Sequence, residues 1–288
     1  MAIRNFTEII FRGISQIFLL NNVITGILFL AGAFYNSWPI GIGAVIGVLA
    51  GTFTALLLKY KKDDINQGLY GYNGALVGLA TVYFFGFNMP SVITLFFGAV
   101  LSSIIMNCMT TWKLPPFTAP FIISTWIVMA IVLTLKIMPL KAAQLPDASN
   151  LEIIPALSRG IGQVMFQENI FTGIILFVGI LVCSRISSFY ALLGTAIGVV
   201  VACVCSFPLS VITAGLFGFN GVLCGIAFSN KKWSSLILAT ASIVISIFLI
   251  YGMMNLGIIT LTSPFVLSAW LVLLLEKRFK SIFSRRLG

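Results

Sequence analysis

One set of polar and glycine residues occurs twice in this chain, 147 positions apart, and the surrounding sequence is almost entirely apolar. Residues 12–16 (RGISQ) return as 159–163 (RGIGQ), and 68–80 match 215–227 at 8 of 13 positions. Duplicated folds in membranes place their substrate site at the interface between the repeats. The polar residues kept in both copies are therefore the first candidates for a functional site.

The amino-acid composition shows that the chain containing this repeat is a membrane protein. Of 288 residues, 59% are hydrophobic and 8% are charged, which is not the composition of a soluble domain. The apolar runs suit membrane helices, and the alternating pattern that a closed barrel needs does not occur. The net charge of +10 is ascribed to loops of a membrane protein, so no nucleic-acid partner is predicted. Histidine is absent and no cysteine lies in a CxxC pair, so neither a metal, a cofactor nor an enzyme is expected.

The sequence predicts an all-α polytopic membrane protein made of two inverted repeats, each with five transmembrane helices and a half-membrane pore helix. The first repeat is predicted over 1–145, with a half-helix at about 5–20 and spans at about 23–35, 38–58, 68–86, 90–109 and 117–138. The second is predicted over 146–288, with a half-helix at about 154–167, spans at about 169–184, 188–208, 214–229, 234–254 and 258–275, and a basic tail.

An odd number of spans per repeat turns the second repeat upside down, and the distribution of cations agrees. With both termini in the cytoplasm, 14 of the 17 Lys and Arg residues fall on the inner side, including Lys113. The outer side then holds Lys136, Lys141 and Arg159. Because cytoplasmic loops collect Lys and Arg, this topology in the cell membrane is the one predicted.

Gln16 and Gln163 are the first candidates to line a path, since each lies in a predicted half-helix that ends inside the bilayer. The last carbonyls of such a helix have no partner within it. Those carbonyls and the glutamine oxygens would form a row of hydrogen-bond acceptors. A glutamine can also simply hold two helices together, but its matched occurrence in both repeats favours the lining role.

Thr118 and Thr262 belong to a third repeated block, at an offset of 144, and each is followed by a proline at the second position. Proline frees a backbone carbonyl, and a hydroxyl beside it can extend the acceptor row. The alternative is a hydroxyl bonded back to its own helix.

Other repeated positions allow both structural and functional interpretations. Asn73 and Asn220 stand among glycines and are expected to cross-link backbone. The rings and leucines near them could form flat slots or ordinary core: Tyr72, Leu76, Phe219 and Leu223. Glu168 is the one acid near a half-helix end, and its counterpart is Asn21. It could act in transport or lie in a water-filled vestibule.

The repeated blocks resemble those of the urea transporter family. RGISQ, GLYGYNGALVG and LPPFTAPF resemble its first-half motifs, and RGIGQ, GLFGFNG and TSPF its second-half motifs. The resemblance implies a passive urea channel, a homotrimer with one pore per subunit, and acceptor oxygens from Gln16, Gln163, Thr118 and Thr262. It also implies two constrictions, one formed by Leu19, Tyr72 and Leu76 and the other by Val164, Phe166, Phe219 and Leu223. Two departures are Ile258-Ile259 in place of Leu-Pro, and Leu19 where an aromatic residue is common.

Urea fits this set of residues because it is small, planar, neutral and rich in N–H donors. Acceptor oxygens offset the loss of its water, about 1–3 kcal/mol per unpaired group, without holding it tightly. An ammonia channel would be expected to use histidine, and an aquaporin would show Asn-Pro-Ala motifs; the sequence has neither. The remaining alternative is a proton-coupled carrier for a small amide, which rests on Glu168.

Overall fold

The computed structural model of the chain describes residues 3–112, 114–141, 145–147 and 150–286, and every regular element within those ranges is a helix. Lys113 lies outside the described residues. The first half contains α1 (Ile3–Ser15), α2 (Val23–Asn36), α3 (Trp38–Leu57), α4 (Lys62–Asn66), α5 (Gly71–Phe85), α6 (Met89–Met109) and α7 (Ala119–Thr134). The second half contains α8 (Ile153–Gly162), α9 (Ile170–Cys183), α10 (Arg185–Val204), α11 (Leu209–Thr213), α12 (Phe219–Ala227), α13 (Trp233–Asn255) and α14 (Ser263–Arg286).

Several of these helices are able to cross a bilayer. Within the described residues, α3, α6, α10 and α13 each have the length and apolar character of a complete span. Two further candidates are bent pairs, in which α1 meets α2 at 75° and α8 meets α9 at 72°. The all-α polytopic membrane class is thereby confirmed, while five spans per half and their inverted relation stay predictions.

The two bent pairs lie where half-helices are predicted, and glycine makes each bend compact. A Cβ atom on Gly26 of α2 would lie 1.9 Å from the carbonyl oxygen of Phe11 in α1. A Cβ on Gly173 of α9 would lie 2.1 Å from the carbonyl oxygen of Ser158 in α8. Only glycine at these positions lets the short helix lie directly against the longer helix that follows it.

The predicted spans 68–86 and 214–229 begin several residues before the helices in the structure. Gly68 and Gly215 have φ of 77° and 79°, a left-handed conformation that glycine adopts easily and that interrupts a helix. The regular helices consequently begin only at Gly71 and Phe219, and α12 ends at Ala227. The five-residue helices α4 and α11, which precede the two glycine turns, were not predicted.

The halves exchange matched hydrogen bonds. The indole Nε1 of Trp126 in α7 donates to the carbonyl of Ile259 over 2.9 Å, and Nε1 of Trp270 in α14 donates to that of Pro115 over 2.8 Å. Each donor and each acceptor is the counterpart of the other at the 144-residue offset. Reciprocal contacts of this kind arise when two similar units are related by a twofold axis. One buried apolar cluster runs through both halves around this junction.

Candidate functional site

Gln16 and Gln163 occupy equivalent places at the ends of the short helices. Each begins a single 3-10 turn and is buried. The side-chain nitrogen of Gln16 donates to the carbonyl of Gln67 over 3.1 Å, and that of Gln163 donates to the carbonyl of Ala214 over 3.2 Å. No described group donates to either side-chain oxygen, and both oxygens keep some exposed surface. Each glutamine therefore has a fixed orientation with its acceptor oxygen available.

The backbone after each glutamine reverses sharply through a residue in the left-handed conformation. Leu19 has φ of 58° and Phe166 has φ of 57°, and their N–H groups donate to the carbonyls of Gln16 and Gln163 over 2.9 and 3.1 Å. The turns thus satisfy carbonyls that the sequence analysis treated as free. The exposed acceptors at these helix ends are consequently the side-chain oxygens of the glutamines rather than the main-chain carbonyls of those two residues.

Thr118 and Thr262 meet where the halves join. Their Oγ1 atoms lie 2.7 Å apart, and both side chains are buried. Each follows a residue in the left-handed conformation, Phe117 with φ of 46° and Leu261 with φ of 48°, and each stands at the start of an apolar helix. The hydroxyls bond to each other across the halves, so the alternative of bonding to their own helices is wrong.

Asn73 and Asn220 hold the helices that carry this threonine pair. The Oδ1 atom of Asn73 accepts from the N–H of Phe121 over 3.1 Å, and that of Asn220 accepts from the N–H of Phe265 over 3.0 Å. These N–H groups lie in first helical turns, where no intrahelical acceptor exists. The prediction that both asparagines cross-link backbone is confirmed, and the cross-links place Thr118 and Thr262 precisely enough to touch.

Three of the four residues expected at the second constriction line one cavity. This cavity has a volume of about 260 Å³ and is lined by Gln163, Val164, Phe166, Phe219 and Thr262, among others. It therefore brings Gln163, an apolar and aromatic wall and one threonine of the pair, Thr262, into one space. Leu223 is fully buried in α12 and belongs to the same core but does not line this cavity.

The residues expected at the first constriction pack in the corresponding part of the first half. Tyr72 and Leu76 are buried in α5, and Leu19 is half-buried against the same core. The hydroxyl of Tyr72 donates to the carbonyl of Phe117, immediately before Thr118. Phe219, the counterpart of Tyr72, has no hydroxyl, so the two sets of residues expected at constrictions differ in polarity.

Glu168 lies in an open cavity beside Gln163. Its carboxylate accepts a hydrogen bond of 2.5 Å from the hydroxyl of Tyr83, and its main-chain carbonyl accepts one of 3.0 Å from Nε of Arg159. These residues and Gln163 line a cavity of about 290 Å³. Tyr83 and Gln163 also line the 260 Å³ cavity, so the two spaces adjoin. Of the two alternatives predicted for Glu168, this arrangement favours a water-filled vestibule.

A smaller cavity lies at the corresponding place in the first half. Arg12, Glu8 and Asn66 line a cavity of about 220 Å³, and Arg12 donates to the carbonyl of Asn66 over 3.3 Å. Arg159 makes the equivalent bond to the carbonyl of Thr213 over 3.1 Å. Arg12 and Arg159 therefore make equivalent bonds in the two halves.

Comparison with known proteins adds a decisive observation to this geometry. The family described as urea transporter matches residues 7–277. The chain belongs to the urea transporter family. It is 29% identical to urea transporter 1 of Ovis aries over 303 residues, covering 96% of this chain and 79% of that protein. It is 31% identical to urea transporter 1 of Rattus norvegicus over 262 residues, covering 83% and 68% respectively. The predicted resemblance is confirmed.

Some residues of the site in this member of the urea transporter family were not predicted. Trp126 and Trp270 join the halves, and their presence in both copies of the third block was a usable signal. Tyr83 reaches the mouth from α5 and contacts Glu168, which is 85 positions away. Its counterpart in the second half is Asn230, so the repeat gave no reason to select it.

Proposed function

We propose that this protein is a passive channel for urea, with the Thr118–Thr262 pair at the centre of the path and a glutamine oxygen on either side. The observation that carries the proposal is the 2.7 Å contact between these two hydroxyls, one from each half. Membership of the urea transporter family identifies the substrate class. The similar proteins from Ovis aries and Rattus norvegicus are both named urea transporter 1.

The arrangement of acceptors suits urea better than an ion or a larger solute. Urea loses hydration when it enters an apolar constriction, at about 1–3 kcal/mol for each unpaired N–H group. The oxygens of Gln16, Gln163 and the threonine pair can accept these groups in succession. Because each oxygen offers one or two hydrogen bonds, binding stays weak enough for release. The apolar walls around Val164, Phe166 and Phe219 disfavour any solute that must keep its charge.

The position of Glu168 favours passive movement over proton coupling. Its carboxylate lies in the open mouth and is hydrogen-bonded by Tyr83, outside the cavity that contains Thr262. A coupling carboxylate is expected to contact the solute at the central site and change charge during each cycle. A proton-coupled carrier remains the second candidate because the Tyr83–Glu168 contact adjoins Gln163.

Urea efflux from proteoliposomes, measured with and without a proton gradient, tests the channel. We expect fast efflux that is independent of the gradient and falls in both Gln16→Ala and Gln163→Ala. Absence of urea flux in a correctly folded, inserted sample would overturn the proposal.

Glu168→Gln separates the two candidates in the same assay. The carboxamide keeps the size of the side chain and removes its charge. A passive channel retains gradient-independent flux in this variant, whereas a coupled carrier loses a flux that depended on the gradient.

We further propose that the channel is a homotrimer in the cell membrane with both termini in the cytoplasm. The trimer rests on the family resemblance, and the orientation rests on the distribution of Lys and Arg. Large apolar side chains on α3 and α6, including Phe53, Phe96 and Phe97, are exposed and need lipid or a neighbouring subunit. Native mass spectrometry of the purified protein should give three times the mass of one chain.

A further inference from the structure

A groove with three cations at its edge lies away from the path, between the N-termini of α10 and α13. Its volume is about 390 Å³, and its lining includes Arg185, Lys231 and Lys232 together with Phe189 and Trp233. Phe189 and Trp233 are 57% and 82% exposed, so large rings stand open directly beside the charges. The groove thus has a cationic part and an aromatic part.

The turn that carries two of the cations is held firmly to α10. The hydroxyl of Tyr190 donates to the carbonyl of Asn230 over 2.9 Å, and the hydroxyls of Ser187 and Ser229 lie 3.2 Å apart. The Oδ1 atom of Asn230 also accepts from the N–H of Lys231 over 2.6 Å. The backbone that presents the lysines is therefore fixed before any ligand arrives.

Two of these cations lie at helix N-termini, where positive charge is electrostatically unfavourable. Arg185 is the first residue of α10 and Lys232 is the N-cap of α13, where the helix dipole repels positive charge. No acidic side chain from the part of the chain that the structure describes lines the groove. Among the described residues, the ion pairs join other groups, namely Arg12 with Glu8, Lys61 with Asp64 and Lys280 with Glu276. An anion in the groove would neutralise three uncompensated cations and two positive helix ends.

The first half provides an internal comparison, because its equivalent junction is not cationic. Trp38 stands in place of Arg185 at the 147-residue offset. At the starts of α6 and α13, where the offset becomes 144 and Asn88 and Lys232 are the N-caps, Phe87 and Asn88 stand in place of the two lysines. The rings of Trp38 and Phe87 pack edge to face at 5.9 Å. One lysine, Lys141, lies near this junction beside Gly86. The fold therefore builds the same junction without the cation cluster. Because the predicted topology places the first junction on the outer side, the bias of cations toward the cytoplasm accounts for this difference in charge, whereas the exposed rings beside the cations of the second junction need a separate explanation.

We propose that this groove binds the headgroup of an anionic glycerophospholipid. The phosphate lies among Arg185, Lys231 and Lys232, and the upper acyl region contacts Phe189 and Trp233. A free phosphate would use only the cationic part, whereas a lipid also covers the exposed rings in a protein whose helices cross the bilayer. Under the predicted topology this lipid belongs to the inner leaflet.

Native mass spectrometry with dioleoylphosphatidylglycerol tests the site, with dioleoylphosphatidylcholine as the neutral lipid. The test variant carries Arg185→Gln, Lys231→Gln and Lys232→Gln. The matched control carries Lys59→Gln, Lys61→Gln and Lys62→Gln, which remove the same charge from another loop predicted to be cytoplasmic. We expect the test variant to bind the anionic lipid about 10- to 100-fold more weakly than the wild type, and the control to bind within about threefold of it.

Equal weakening in the two triple variants would overturn the site, because it would mean that only net charge matters. Displacement of the lipid by glycerol 3-phosphate at comparable concentration would also overturn it, in favour of a free anion. Lys231→Gln with Lys232→Gln is a milder second variant, with an expected intermediate loss. Because the groove is separate from the proposed path, urea flux of every variant in phosphatidylcholine liposomes should match the wild type, and that match shows that the variants are folded.

Discussion

At the scale of single residues, the proposed path depends most on the hydroxyls of Thr118 and Thr262. Valine has nearly the shape of threonine but no hydroxyl, so Thr118→Val removes one acceptor and leaves the other hydroxyl without its 2.7 Å partner. One lost acceptor costs about 1–3 kcal/mol, so urea flux should fall about 5- to 150-fold in stopped-flow measurements. Thr125→Val is the control, because that buried hydroxyl has no hydrogen-bond partner among the described residues and its loss should leave flux unchanged. Equal flux in Thr118→Val and wild type would remove the hydroxyl pair from the path.

Gln167, unlike Thr118 and Thr262, has a buried polar side chain without a hydrogen-bond partner among the described residues. Its side chain is completely buried, and neither its Oε1 nor its Nε2 atom has a partner among the described residues. The equivalent residue of the first half is Leu20, which packs in the core. Gln167→Leu should therefore raise the free energy of unfolding, by about 1–3 kcal/mol, and increase the midpoint of thermal unfolding in detergent. Urea flux should be retained. A lower midpoint would show that a buried water or another group satisfies the amide.

At the scale of elements, the contacts of α1 with α2 and of α8 with α9 determine where the short helices end. Gly26→Ala would place a methyl group 1.9 Å from the carbonyl oxygen of Phe11, so α1 must move away and Gln16 with it. We expect loss of most folded protein in fluorescence-detected size-exclusion chromatography and loss of flux in what remains. Gly252→Ala is the control, because nothing lies within 4 Å of that added atom. Since alanine is the better helix former, this control should be neutral or slightly stabilising. Normal folding and flux in Gly26→Ala would contradict the close packing.

The helices could be predicted largely from sequence, whereas the turns between them could not. Long apolar runs specify α3, α6, α10 and α13 because a membrane span must be apolar and about 20 residues long. The starts of α5 and α12 were misplaced, because Gly68 and Gly215 are compatible with a helix as well as with a left-handed turn. The short helix α11 was missed because an apolar stretch that ends one helix and begins another shows no break in composition.

The same distinction applies to the candidate site. Gln16, Gln163, Thr118 and Thr262 stood out because polar residues kept in two copies are conspicuous in an apolar chain. The contact between Thr118 and Thr262 could not be predicted, because it depends on how the halves pack. The contact of Tyr83 with Glu168 could not be predicted either, because neither residue has a counterpart of the same type in the other half. A repeat indicates which residues are important in both halves, but it does not indicate residues that act in one half only, such as those of the cavity around Glu168.

At the scale of the whole molecule, the reciprocal bonds of Trp126 and Trp270 and the self-pairing of Thr118 with Thr262 fit a twofold axis through the junction. A residue that contacts its own counterpart must lie on or near such an axis. Inverted repeats require this axis to lie in the membrane plane, with α1 and α8 entering from opposite sides. The orientation of each half in the bilayer is therefore the property to be tested.

Two exposed native cysteines allow that test without the introduction of new cysteines. Cys108 lies near the end of α6 and Cys205 follows α10. If α8 is a half-helix and α9 a full span, the chain crosses the membrane three times between them, through α7, α9 and α10. Each thiol is kept alone by replacing the other four cysteines with alanine, and intact cells are treated with a membrane-impermeant maleimide.

We expect Cys205 to be labelled from outside and Cys108 only after permeabilisation. The reason is that most Lys and Arg residues fall on the side of the membrane where Cys108 is predicted to lie, and that side is therefore predicted to be cytoplasmic. The reverse pattern would keep the inverted repeats but place both termini outside. Labelling of both thiols from one side would mean an even number of crossings, so that α8 and α9 together form a re-entrant loop. Gln163 would then lie at the bottom of that loop rather than midway along a path through the molecule, and the acceptor row proposed for urea would lose its second half.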